Sequence, residues 1–334
     1  MVSTHKEWFG NGKKTKKTCK VTLMRKILIT GGAGFIASSL AETLVKDPKN
    51  YVIIVDNLLT GKKANLPSSD YNNWKFIRCD VNKMEDIQAV MVSYSFDYVF
   101  HYAAVVGVQR TLNAPILVLD DIEGIKNLLS LCKNTGVKRI FYASSSEVYG
   151  ETVRFPQDEV NTPLNSRLPY AVVKNAGEAF CRSFQQEYDL DYTIFRFFNT
   201  YGPKQSDDFV MSRFLRMAID NEPITIYGDG LQSRTFCYID DNIESSINAF
   251  KKNAHVNDVL NIGSDVETTI LELAQTIIRL TESDSKIVHL PPLKEGDMRR
   301  RLPNADKMKI LLERSQVSLE EGILKLLPEV KKLV

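Results

Sequence analysis

The sequence predicts an α/β protein built on a doubly wound parallel sheet, with a smaller α+β lobe towards the C-terminus. Three observations predict it. An apolar run at 26–30 ends in glycines, and helical spacing and a second, β-branched run follow, which together make a βαβ unit. The alternation of strand and helix patterns continues to about residue 200, as a parallel sheet covered by helices on both faces requires. After Asn199, glycine and proline become frequent (Gly202-Pro203, Pro223, Gly228-Asp229-Gly230, Pro291-Pro292, Pro303) and the regular alternation stops.

Taken in order, strands are expected at 26–30, 51–56, 75–78, 98–101, 139–143 and 192–197. Helices are expected at 36–46, 84–92, 115–135 and 170–188. The first helix carries Ile36, Leu40 and Leu44 on one face. From residue 201 the chain reads as mainly a substrate lobe, with a strand at 259–262 that is a candidate to return to the main sheet. Residues 1–23 differ from the rest. They hold six lysines, one acid (Glu7) and little apolar material, so they read as a basic, disordered extension. No apolar h-region follows the basic residues, as a secretory signal requires. Met24 would be a natural beginning, because a strand starts there.

Bulk composition narrows the function classes. With 334 residues, 43% of them hydrophobic, the chain can bury one large or two modest cores. A net charge of +2 makes no case for nucleic acid or an anionic membrane. No apolar run reaches the length of a bilayer span. The five cysteines (Cys19, Cys79, Cys132, Cys181, Cys237) are odd in number and form no Cys-x-x-Cys pair. That argues for a reducing compartment, the cytoplasm, and against a disulfide framework. The four histidines are dispersed, so no metal site is expected.

The glycine segment Gly31-Gly32-Ala33-Gly34-Phe35-Ile36-Ala37 lies directly between the first strand and its helix. A dinucleotide-binding turn needs glycine where φ is positive and where backbone must approach a pyrophosphate, then a helix N-terminus to supply N–H groups. Ala37 is small enough to let that helix sit close to the sheet. Asp56 closes the second strand about twenty residues further on, where an acid accepts hydrogen bonds from an adenosine ribose and repels a 2′-phosphate. The segment therefore reads as a Rossmann site for NAD rather than NADP. No Gly-Lys-Ser/Thr follows, which excludes a P-loop.

Tyr170 and Lys174 share one face at the start of a predicted helix. An ammonium beside a phenol lowers the tyrosine pKa from about 10 toward neutrality. Tyr170 then becomes a candidate general base for a sugar hydroxyl as hydride leaves to the nicotinamide. Ser145, just after the strand at 139–143, is placed to hold the same hydroxyl. Tyr-x-x-x-Lys alone also describes an exposed helix face. The preceding Rossmann half is what favours the catalytic reading.

These residues together resemble the extended short-chain dehydrogenase/reductase family, in particular its NAD-dependent nucleotide-sugar epimerases, dehydratases and decarboxylases. The resemblance runs from Arg25 to about Leu327. It rests on the glycine segment, Val55-Asp56-Asn57, Cys79-Asp80-Val81, Ser144-Ser145-Ser146-Glu147-Val148-Tyr149-Gly150 and Tyr170-Ala171-Val172-Val173-Lys174. It continues through Arg196-Phe197-Phe198-Asn199-Thr200-Tyr201-Gly202-Pro203 and Tyr227-Gly228-Asp229-Gly230-Leu231-Gln232-Ser233-Arg234. The family implies oxidation of the sugar at C4 by bound NAD, followed by epimerisation, water elimination or loss of carbon dioxide, with NAD regenerated in place. It implies that Gly31, Gly34, Phe35, Ile36, Asp56, Asn57, Asp80 and Val81 contact the cofactor together with Tyr170 and Lys174. It further implies that residues 24–200 form the NAD-binding domain and 201–334 mainly a nucleotide-sugar lobe. By the same resemblance Asn199, Arg234 and Arg299 serve the nucleotide diphosphate, and two copies pair through the helices at 115–135 and 170–188.

The branch of the family is read from Ser146 and Glu147. Dehydratases usually carry Asp-Glu at these positions and epimerases small or neutral residues. Ser-Glu resembles the UDP-glucuronate decarboxylases. Arg299-Arg300-Arg301-Leu302-Pro303-Asn304 resembles their Arg-x-Pro segment, with Arg301 at the reacting end of the sugar. The expected catalytic set is therefore Tyr170, Lys174, Ser145, Ser146, Glu147 and Arg301. Departures exist. Ala37 stands for the usual third glycine, Ser39 for the usual histidine, and Asp121 for the usual asparagine of the long helix. The segment 103–110 lacks the proline-containing loop of decarboxylases and looks more like an epimerase or dehydratase. A UDP-sugar 4-epimerase, an NDP-sugar 4,6-dehydratase and a silent NAD-binding regulator remain as alternatives.

Overall fold

A computed structural model describes residues 24–152, 154–292 and 298–331. The basic extension at 1–23, with Cys19, lies outside the described residues. Seven strands form one parallel sheet: β1 (Arg25–Thr30), β2 (Asn50–Asp56), β3 (Trp74–Arg78), β4 (Tyr98–His101), β5 (Arg139–Ser145), β6 (Asp191–Phe197) and β7 (Asp258–Ile262). Their spatial order is β7-β6-β5-β4-β1-β2-β3. The order reverses between β1 and β4, and a crevice opens at such a switch point beyond the carboxyl ends of the strands. The strand at 258–262 joins the main sheet beside β6, far in sequence from its neighbours.

Alternate residues of each central strand feed two cores, because successive side chains point to opposite faces. Ile27, Ile29, Phe100, Phe141, Phe195 and Leu260 meet helices α1 (Phe35–Val45) and Ile239–Lys251 on one side. Leu28, Val99, Ile140 and Ile194 meet α2 (Met84–Tyr94), α3 (Asp121–Thr135) and α4 (Pro169–Tyr188) on the other. The helix expected over 115–135 is two pieces, Pro115–Leu119 and α3, with a turn at Asp120 between them. Gly177 lets α4 come down on the sheet. A Cβ there would sit 2.1 Å from the Tyr142 hydroxyl oxygen, within overlap distance.

Beyond β6 short ladders replace the long sheet. Thr200–Tyr201 pairs with Cys237–Tyr238, Ile224–Tyr227 with Ile287–Leu290, and Ser233–Thr235 with Glu267–Thr269. Thr269 opens the helix Ile270–Thr281 with a reciprocal capping box to Glu272. Cys79, Cys132, Cys181 and Cys237 are buried free thiols. Among the described residues no helix is long and apolar enough to cross a membrane, and no three His, Cys, Asp or Glu side chains cluster as metal ligands.

Candidate active site

At the switch point the chain turns from β1 into α1 through the glycine segment. Gly31 holds φ at +67°, and a Cβ on it would meet the Ala103 Cα at 2.6 Å. Only glycine therefore fits between β1 and the segment that leaves β4. Helix α1 begins at Phe35 and Ile36 with Gly34 as N-cap, no side-chain cap and no acid in its first turn. Its first N–H groups lack intrahelical partners and are open to an anion. The Asp56 carboxylate accepts the N–H of Ala33 at 3.0 Å and of Leu58 at 2.7 Å, which ties β2 to the glycine segment. Each oxygen keeps a second lone pair for a ribose hydroxyl. Asn57 is exposed and accepts the Leu59 N–H. Asp80 accepts the Asn82 N–H after β3, and Val81 beside it is buried. The uncapped helix end, the glycine at positive φ and the ribose-side acid fit a bound dinucleotide.

Across the crevice, β5 ends at Ser145, whose hydroxyl oxygen accepts the Glu147 N–H at 3.2 Å and starts a short 3-10 turn. The Ser145 hydroxyl lies on the Tyr170 side of this turn and favours the phenolate form of that residue. Lys174, one turn along α4, is buried. Its ammonium donates to the Ala143 carbonyl at 2.7 Å and lies 5.7 Å from the Tyr170 ring centroid. Burial pushes the Lys174 ammonium down from 10.5 to about 8, while the nearby Asp121 charge pulls it back up. Asp121 itself is raised by burial, against hydrogen bonds from Val105 N–H at 2.7 Å and Asn82 Nδ2 at 3.1 Å.

The lowered Tyr170 pKa expected from its lysine neighbour is not what the geometry gives. Burial pushes the phenol well above its ordinary value, and the Ser145 hydrogen bond only partly opposes this. Burial is the main cause, and the Lys174 ammonium, which donates to the Ala143 carbonyl, does not offset it.

The two residues singled out at opposite ends of the sequence, Glu147 and Arg301, form an ion pair of 2.6 Å. Arg301 is 5% exposed, and its Nη1 also reaches the Ser146 hydroxyl at 3.5 Å. Glu147 Oε2 and Arg301 Nε are both buried without a hydrogen-bond partner. A charged pair left with an open acceptor and an open donor is half-satisfied, as in a site that takes a further polar group.

The other two arginines of the triplet go elsewhere. Arg300 pairs with Glu267 through two hydrogen bonds of 2.6 and 2.8 Å and lies over Phe155. Arg299 is exposed, and its carbonyl accepts the Ser233 N–H. Arg234 sits in the same ladder and donates to the Ser233 carbonyl at 2.7 Å. Asn199 follows β6 at φ +30° with its Nδ2 buried and unpartnered.

Residues 27–263 match the NAD dependent epimerase/dehydratase family. The chain belongs to this family. It is 36% identical over 322 residues to a UDP-N-acetyl-alpha-D-glucosaminuronate decarboxylase of Bacillus cytotoxicus, covering 90% of this chain and 96% of that protein. It is 33% identical to a UDP-glucuronate 4-epimerase of Thermodesulfobacterium geofontis, covering 89% and 93%. Among solved structures it is similar to a UDP-glucose 4-epimerase of Thermotoga maritima with UDP-glucose. That match has a TM-score of 0.86 and 32% identity, and covers 92% of this chain and 99% of the other. A UDP-glucuronic acid 4-epimerase of Bacillus cereus, solved with UDP-glucuronic acid and NAD, matches with a TM-score of 0.84 and 29% identity over 92% and 100% of the two chains. This epimerase/dehydratase chain is thus an NAD-dependent enzyme on a Rossmann sheet, as its glycine segment and Asp56 predict.

Sequence reasoning did not assign Glu178 and Asn261, and quoted Arg196 and Tyr149 only as parts of motifs. Glu178 had a usable signal. It continues the Tyr170–Lys174 stripe by one more turn. Asn261 had none, because its partners are remote in sequence.

Proposed function

We propose that the enzyme decarboxylates a UDP-glucuronate-type sugar, with oxidation at C4 as its first chemical event. The observation that carries this reading is the largely buried Glu147–Arg301 ion pair with its two open polar atoms, close in sequence to Ser145. The UDP-uronate class follows the names of the relatives. Gly31, Gly34 and the first turn of α1 would hold the NAD diphosphate, and Asp56 a ribose. When bound, NAD supplies the acceptor and donor of hydride at C4. Ser145 holds the C4 hydroxyl and Tyr170 takes its proton, with the Ser145 hydroxyl favouring the phenolate and Lys174 anchored beside it. The C4 ketone lies β to the sugar carboxylate. Arg301 receives that carboxylate with its planar fork, the C5–C6 bond breaks, carbon dioxide leaves and C5 takes a proton. Glu147 and Ser146 orient Arg301 and supply the proton route through water. Asn199, Arg234 and Arg299 would hold the diphosphate.

A UDP-glucuronate 4-epimerase is the second reading, favoured by the similarity to solved 4-epimerases. In it Arg301 would anchor the carboxylate without releasing it. A 4,6-dehydratase fits less well, because Ser146 stands where its proton donor is expected. We further propose a cytoplasmic enzyme, in keeping with its buried free thiols, that pairs through the outer faces of α3 and α4 near exposed Ile116 and Val172.

Product analysis tests the reading. Purified enzyme is incubated with UDP-glucuronate, UDP-glucose, UDP-N-acetylglucosamine or dTDP-glucose and followed by NMR. A UDP-pentose with carbon dioxide is expected. An inverted C4 with the carboxylate retained would establish the epimerase instead. UDP-glucuronate left untouched while another sugar turns over would sink both.

A further inference from the structure

A continuous buried polar ladder joins the helix that carries Tyr170 to the segment that carries Arg301. It starts at Glu178, which is fully buried. Its carboxylate accepts from Ser144 Oγ at 2.7 Å, from Arg196 Nε and Nη2 at 2.8 and 2.7 Å, and from Arg182 at 2.9 Å. Burial alone would raise this carboxyl, but the Arg196 bonds and charge overcome it and hold it below its ordinary value. Register places Ser144 opposite Arg196, and Arg196 opposite Asn261, so three polar residues cross β5, β6 and β7 in one row. Arg196 Nη1 donates to the Tyr149 hydroxyl at 2.8 Å, and Tyr149 donates to Asn261 Oδ1 at 2.7 Å.

The far end reaches the Arg301 segment. Asn261 Nδ2 donates to the Gln157 carbonyl at 2.9 Å and to the Asn304 carbonyl at 3.2 Å. Gln157 in turn donates its N–H to the Leu302 carbonyl and accepts that of Asn304, both at 2.7 Å. Leu302 is the residue after Arg301. Sheet interiors of this kind are normally filled with Val, Ile and Leu. A polar row there is costly unless every member is bonded, and then it fixes one arrangement.

We propose that this ladder is a positioning device that sets Arg301 relative to Tyr170, with Tyr149 and Asn261 as its positioning residues. The proposal rests on the reading of Arg301 as the carboxylate-binding residue. Tyr170, Lys174 and Ser145 sit at the near end, on α4 and the end of β5, where Glu178 keeps its bonds to Ser144 and Arg196 whatever happens at Tyr149. Loosening the ladder at Tyr149 therefore lets residues 301–304 shift while the C4 oxidation apparatus stays in place. The two halves of the reaction become separable by a residue that touches neither.

The test is Tyr149→Phe, which removes one hydroxyl and keeps the ring that packs on Phe198. Two readouts are taken on purified enzyme carrying its NAD. Hydrogen exchange is compared for residues 298–305 and 168–178. Single turnover with UDP-glucuronate follows reduced-nicotinamide absorbance for C4 oxidation and carbon dioxide release for the second step. The expected result is faster exchange at 298–305 with 168–178 unchanged. Carbon dioxide release should be slowed roughly tenfold or more, in keeping with the cost of a sub-ångström to ångström misplacement, with oxidation within about twofold. Exchange unchanged in both segments, or raised equally in both, would overturn the proposal. So would oxidation and carbon dioxide release falling in the same ratio, which is what a merely structural role predicts. If the unmodified enzyme releases no carbon dioxide from UDP-glucuronate, the decarboxylase reading fails by itself, and the ladder then stands or falls on the exchange result alone.

Discussion

The crevice has two walls built in opposite ways. The cofactor wall is made of neighbours. Gly31, Gly34 and the start of α1 are contiguous, and Asp56 reaches the same turn through the Ala33 N–H. In the reading proposed above, backbone does most of the binding there. The reaction wall is made of strangers. Arg301 meets Ser146 across 155 residues, and Tyr149 meets Asn261 across 112, through side chains alone. A wall of backbone and glycine is specified by a short motif. A wall of remote side chains is specified only once the sheet is assembled. The first therefore identifies the cofactor, and the second decides the reaction.

Removing the Tyr170 hydroxyl should separate the walls most sharply. Tyr170→Phe deletes the proposed proton acceptor but leaves the glycine segment unchanged. Turnover of the UDP-sugar should fall by about 10²–10⁴-fold, the usual worth of a general base. NAD content of the purified protein should stay as in the unmodified chain. Loss of bound NAD along with activity would show that the two walls are not independent.

The second largest effect belongs to the Glu147–Arg301 pair. Arg301→Met leaves Glu147 in a largely buried site without its partner, and breaking such a pair by one member costs about 3–5 kcal/mol when burial is complete. Glu147 keeps 23% side-chain exposure, so the loss should lie at or below the lower end of that range. A second change, Glu147→Gln on top of Arg301→Met, should recover part of the melting temperature but none of the UDP-glucuronate turnover. Recovery of turnover in the double variant would mean that Arg301 does not meet the carboxylate.

This difference between walls explains what could be read from the chain. The parallel sheet, the glycine segment and Asp56 were legible because each depends on spacing within about thirty residues. Tyr170 and Lys174 were legible because helical periodicity puts them on one face. Glu147 and Arg301 were singled out separately and only through resemblance, and their ion pair was not foreseen, since no local pattern links positions so far apart. The ladder through Arg196 and Asn261 was hidden for the same reason. Periodicity marks those positions as strand interior, where an apolar residue is the default, and says nothing of what a polar one would meet. The phenol of Tyr170 was misjudged on a finer point. Spacing places a lysine nearby but reveals neither how deeply the phenol is buried nor that Ala143 takes the ammonium.

On the cofactor wall the test is steric. Gly31→Ala must place a methyl against the Ala103 backbone at a φ of +67°. Backbone cannot swing aside as a long side chain can. The strain should cost about 1–3 kcal/mol. Calorimetry should show the lower melting temperature and absorbance the loss of bound NAD, with both defects present before any sugar is added. A Gly31→Ala protein with full NAD and unchanged melting would break the claim that backbone closeness defines this wall.

The smallest effect tests the boundary of the reaction wall. Arg299, Arg300 and Arg301 are consecutive and identical in type, yet they have three different environments. Arg301 is buried against Glu147, Arg299 is exposed, and Arg300 holds Glu267 at the surface with 43% of its side chain exposed. An extended segment turns successive side chains in different directions, so composition could not assign the three. Arg300→Ala removes an exposed ion pair, which is worth about 0–1 kcal/mol, and a contact with Phe155. Turnover should change by less than about twofold, since a solvent-screened pair transmits little energy to its neighbours. If Arg300→Ala instead lowers turnover as far as Arg301→Met does, the reaction wall extends past Arg301 and the three arginines act as one anion-binding surface.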